Sequence, residues 1–163
     1  MATQQPVADV DTTQVTGRRT VHYANVDDIV ADAERLASRG YKALGNWSLG
    51  KITQHVGRAL LQALDGPSMK VAAPMRLMAR LLYKKKALRE MKPGFKLPPQ
   101  AAALVPNTED DNAGIAELRS AVERWKQEPQ RHPHAFFGKL TPKEWEQLML
   151  RHAEMHMSFL VDN

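Results

Sequence analysis

Apolar residues in this chain recur at intervals of three and four, in four separate segments, and no convincing run of strict alternation accompanies them. That period belongs to helices with one buried side, whereas half-buried strands need a period of two. The first segment runs from about Val26 to Ser38, with Ile29, Val30, Ala33, Leu36 and Ala37 on one side. Asn25 suits its N-cap, Asp27 and Asp28 suit the positive end of the helix dipole, and Gly40 follows its stop. The second begins near Trp47–Ser48, capped by Asn46 or Ser48, and ends before Gly66–Pro67. Leu49, Ile52, Val56, Ala59, Leu60 and Ala63 form its apolar side, and His55 falls among them.

The third segment covers Thr108 or Asp111 to Gln127, with Ile115, Leu118, Val122 and Trp125 turned inward. The fourth has the clearest start, Thr141-Pro142-Lys143-Glu144. Threonine caps, proline fits the first helical position, and glutamate three residues after the cap completes a capping box. From there the pattern runs Trp145, Leu148, Met149, His152, Met155, His156, Phe159, Leu160. A shorter helix fits Pro74 to about Arg89. A long irregular stretch follows it, containing Pro93, Pro98, Pro99 and Pro106. Stretches of that length without structure of their own are often functional. The expected fold is all-α: a four-helix bundle with a helical insertion after the second main helix.

At 163 residues the chain is the size of one domain. It divides into a flexible N-terminal tail, 1–20, and a single helical domain, 21–163. It contains no cysteine, which excludes disulfides, thiolate metal sites and cysteine nucleophiles. The first residues are too polar for a secretory signal. Arg18–Arg19 is followed by TVHYANVDD, too polar for the apolar part of a twin-arginine signal. No stretch approaches the roughly 18 apolar residues of a membrane span. The expectation is a cytoplasmic protein with no membrane partner.

The net charge is +5, and much of the excess lies in residues 76–96. Arg76, Arg80, Lys84, Lys85, Lys86, Arg89, Lys92 and Lys96 stand there against Glu90 alone. Such a segment suits nucleic acid, an anionic membrane or an acidic substrate, or is simply a solvated helix face. Only Tyr83 and Phe95 lie near as stacking aromatics, and no nucleic-acid-binding motif accompanies them, so nucleic acid is not the expected partner.

His152 and His156 stand four apart, which places both imidazoles on one helix face. Two rings so placed can converge on one metal ion. The stretch is not a zinc-protease signature, because the position after the first histidine is Ala153 where a glutamate base is needed. Glu154 is expected on the far side of the helix, facing solvent, and Glu144 as a cap. The best third ligand is His55, the other histidine within a core-facing stripe. His22 precedes the first helix. His132 and His134 lie in the loop before the last one, and His134 is expected to be solvated, as loop histidines beside a proline usually are, with a pocket residue as the alternative reading. Core histidines with ordinary hydrogen-bond partners are the competing reading of all three stripe positions.

With NWSLGKITQH at 46–55, KPGFKLP at 92–98, and FGKLTPKEW at 137–145 running into RHAEMHMSFL, the chain resembles the DinB/YfiT-like superfamily of metal-dependent enzymes. The resemblance spans about Arg18 to Leu160 and is closest to an uncharacterised branch. It implies a bundle of up-down-down-up type, with His55, His152 and His156 holding one divalent ion, zinc or nickel. Some members of that superfamily are thiol S-transferases or isomerases that use a low-molecular-weight thiol. The expected reaction here activates a thiol or water, of thiol S-transferase or hydrolase type, and the basic stretch 80–96 would attract a small anionic thiol as cosubstrate. Met155 and Ala135 depart from the branch pattern, which shows histidine and proline there. The catalytic residues are not readable. The alternative function is a non-catalytic interaction protein with a structural metal, contacting an anionic partner through residues 76–96. Either form is compatible with a homodimer.

Overall fold

The computed structural model describes residues 9–163. The chain is mostly helical. Its elements are α1 (Val26–Arg39), β1 (Tyr41–Ala43), α2 (Leu49–Asp65), α3 (Ala73–Arg89), a 3-10 helix (Pro99–Leu104), α4 (Asp111–Gln127), α5 (Pro142–Met157) and β2 (Leu160–Asp162). The helix ends follow local chemistry. Asn25 and Asp28 form a reciprocal capping box at α1, and Thr141 and Glu144 form another at α5. Ser48 caps α2 and Asp110 caps α4. Asn46, the other candidate cap for α2, instead pairs its side-chain amide with the backbone of Val10.

The core is built by α1, α2, α4 and α5. Ile29, Leu36, Leu49, Ile52, Leu60, Leu118 and Leu148 are fully or almost fully buried. The tightest crossing joins α2 to α4. A Cβ added at Gly114 would lie 2.2 Å from the Gly50 carbonyl oxygen, and one at Gly50 would lie 2.6 Å from the Asp110 carbonyl oxygen. Only glycine lets these two backbones meet. α3 stands apart, with no buried residue, held against the start of α5 by a Lys84–Glu144 ion pair.

Two elements differ from expectation. β1 and β2 form a two-stranded antiparallel sheet that pairs Tyr41 with Asp162 and Ala43 with Leu160. Three residues per strand are too few for alternation to show. The proline-rich stretch after α3 closes into the 3-10 helix, whose end is bonded to α2. Of the expected flexible tail, residues 1–8 lie outside the described residues. Within 9–20, Arg19 forms a bidentate pair with Asp32 of α1, and Arg18 donates to the Ser158 hydroxyl.

Candidate metal centre

α2 and α5 pack so that the apolar side of one faces that of the other, and the histidines within those sides meet. His55 Nε2 lies 3.1 Å from His152 Nε2, which lies 3.1 Å from His156 Nε2. All three nitrogens fall within 4.8 Å of one another. Two nitrogens bound tetrahedrally at roughly 2.0–2.1 Å would stand about 3.3 Å apart. Two of the three separations, 3.1 Å each, are therefore close to those of ligands around one small ion.

The surroundings fix which nitrogens face inward. His55 Nδ1 donates to the Leu104 carbonyl at 2.8 Å, so its proton sits on Nδ1 and Nε2 presents a lone pair. A carbonyl in that place is the usual outer partner of a metal-binding imidazole. Leu104 ends the 3-10 helix, and three neighbouring side chains of α2 hold that segment. Gln54 accepts from the Asn107 amide, His55 bonds Leu104, and Arg58 donates to Val105 and Asn107. Trp47, just before α2, stacks on His156 with ring centroids 5.4 Å apart, and tilts against His55 at 5.0 Å.

Protons alone satisfy this cluster badly. If His152 carries its proton on Nε2, that single proton is shared between His55 and His156. If it carries it on Nδ1, two lone pairs face each other across 3.1 Å, and Nδ1 is buried without a partner. Charging a ring is opposed by the environment. Burial pushes His55 below the usual histidine range. Burial, then the neighbouring rings, holds His152 and His156 well below it. Three neutral imidazoles with converging lone pairs are a donor set that a cation completes.

The cluster lies on the wall of a cavity of about 1480 Å³, roomier than the roughly 300–1,000 Å³ of ordinary ligand pockets. Its lining is largely apolar and includes Met149, Met155, Phe136 and Leu104, with Met78 of α3 at its edge.

The remaining histidines divide. His22 is exposed beside Glu154, and His132 is exposed at the surface. His134 is not solvated as expected. Its ring stacks on Phe137 at 4.8 Å, meets Trp145 edge-on at 5.3 Å and lines the cavity. Its Nδ1 accepts the amides of Phe136 and Phe137, which leaves the proton on Nε2, and burial lowers its pKa to about 4. Glu154 also departs from expectation. It lies away from the cluster, yet it accepts from the Tyr23 amide and from Arg151 and is only 12% exposed. Glu144 caps α5 as expected.

A mostly helical chain with three converging histidines beside a large cavity defines a helical protein with a candidate metal centre. The chain belongs to the family described as "Protein of unknown function (DUF1569)", whose model matches residues 15–163. No curated protein and no solved structure matches it.

Proposed function

We propose that His55, His152 and His156 bind one divalent ion, zinc or nickel, and that the protein is a metal-dependent enzyme of DinB/YfiT-like type. In this reading α1, α2, α4 and α5 form a four-helix bundle of up-down-down-up topology, with α3 as the insertion, and the protein works in the cytoplasm. The observation that carries it is the convergence of three Nε2 atoms, two of their separations close to ligand spacing, with the His55 tautomer set by Leu104. The bound ion would supply Lewis acidity, which activates a thiol or water toward an electrophilic substrate. The chain's own residues orient that chemistry. Trp47 restrains His156 and His55, and Leu104 orients His55. His134 offers a neutral Nε2–H to a bound substrate. The reaction is thiol transfer or hydrolysis.

Metal analysis of protein purified without chelator tests this, followed by thiol-transfer and hydrolase screens. About one ion per chain is expected, lost in His152→Ala, with activity tracking metal content. A content well below one that His152→Ala leaves unchanged contradicts it. A second reading, a non-catalytic protein with a structural ion, is supported by the exposed apolar side of α3. It requires a closed coordination sphere, whereas the enzyme reading requires exchangeable water.

A further inference from the structure

α3 reverses the usual arrangement of a surface helix. Six of the eight exposed large hydrophobic residues among those described lie on it: Met75, Leu77, Met78, Leu81, Leu82 and Tyr83, each more than half exposed. With about 3.6 residues per turn, Leu77, Leu81, Met78, Leu82 and Met75 share one contiguous outer side. Lys85 and Arg89 extend that side toward the C-terminus. The opposite side makes the contacts to the rest of the protein. Arg80 donates to the carbonyls of Phe137 and Lys139, Lys84 pairs with Glu144, and Ala87 packs on the core.

The basic segment is therefore split by the fold. Arg80 and Lys84 are spent on internal bonds. Lys85, Lys86 and Arg89 are exposed on or beside the apolar side, Arg76 is exposed on the opposite side near Gly138, and Lys92, Phe95 and Lys96 are exposed in the segment that follows the helix. α3 itself contains no acidic residue. Large exposed apolar surface of this kind marks an interaction site.

We propose that the outer side of α3 docks on an anionic lipid bilayer, lying in the plane of the headgroups. Charge selects this occupant. The apolar patch of the N-terminal part of the helix continues into Lys85 and Arg89 on the same side, and long cationic side chains so placed reach lipid phosphates while their stems stay apolar. A second copy of the same side would bring no carboxylate to Lys85 or Arg89, and burying those charges unpaired is costly. No helix of the described residues is long and apolar enough to cross a membrane, so the contact is peripheral. Met75, Met78 and Tyr83 also line the cavity, so docking brings one of its walls to the lipid. The proposal does not rest on the metal reading.

Vesicle co-sedimentation of the full chain, with and without chelator, tests it. Vesicles of phosphatidylcholine mixed with phosphatidylserine are compared with phosphatidylcholine alone. Binding to the anionic vesicles is expected, weakened by salt, abolished in Leu81→Glu/Leu82→Glu, and weakened roughly thirtyfold in Lys85→Ala/Arg89→Ala. Both variants change exposed side chains, and circular dichroism verifies their fold. Equal binding to both vesicle types overturns the proposal. So does absence of vesicle binding, including the case where a concentration-dependent dimer is broken by Leu81→Glu/Leu82→Glu or where the basic residues retain the chain on nucleic acid.

Discussion

His55 Nδ1 and the Leu104 carbonyl, 2.8 Å apart, decide what the other nitrogen of that ring can do. At this scale much of the candidate site was legible. Helical spacing put His55, His152 and His156 on core-facing sides, and the structure brings their Nε2 atoms together. The Leu104 carbonyl was not legible, because any residue has a carbonyl and only the closure of the loop aims this one. His134 takes the alternative, pocket position rather than the solvated one because two backbone amides and two aromatic rings draw it in. The buried rings also set a pH dependence. His55, His134, His152 and His156 all have pKa values lowered in the folded protein relative to an ordinary histidine. The unfolded chain therefore binds more protons below about pH 6.5, and the sign follows: stability of the metal-free protein is level above that pH and falls as the pH drops through it. Each ring contributes a slope of up to about 1.4 kcal/mol per pH unit until it protonates in the fold. Urea unfolding of chelator-treated protein from about pH 8 to about pH 5 checks this, and a flat profile contradicts it.

Among the elements, helices announced themselves through period and caps. Thr141 with Glu144 and Asn25 with Asp28 close as capping boxes at α5 and α1. The sheet of β1 and β2 and the 3-10 helix were invisible, since each is held by partners distant in sequence. The α2–α4 crossing depends on glycine. Gly114→Ala places a methyl group against the Gly50 carbonyl, so it is expected to destabilise the protein by about 1–3 kcal/mol in urea unfolding. An unchanged midpoint would mean the crossing is looser than described. The segment ending in the 3-10 helix acts on the site from outside. Arg58→Ala removes its bonds to Val105 and Asn107 and loosens Leu104 behind His55. Metal affinity should fall, by less than the roughly tenfold or more that loss of a direct outer partner costs, while helical circular dichroism stays unchanged. Unaltered affinity would show that the loop does not tune the site.

For the molecule as a whole, the fold sets two surfaces at different depths. The histidine cluster sits inside, on the wall of the cavity, and the apolar side of α3 sits outside, on the helix that forms part of that wall. The mostly helical class was legible from the spacing of apolar residues. The outward turn of α3 was not, because its period alone says that it has two sides without saying which is covered. Arg80 and Lys84 decide that by bonding the 137–139 loop and Glu144. The central claim is that three histidines from two helices act as one ligand set. Titration of metal-free protein with cobalt(II), followed by visible absorption, tests it most directly. The account predicts one equivalent bound with the strong visible bands of a low-coordinate site. Those bands should be lost alike in His55→Ala, His152→Ala and His156→Ala and retained in His22→Ala. Bands that never form, or that survive any one of the three substitutions unchanged, would contradict it.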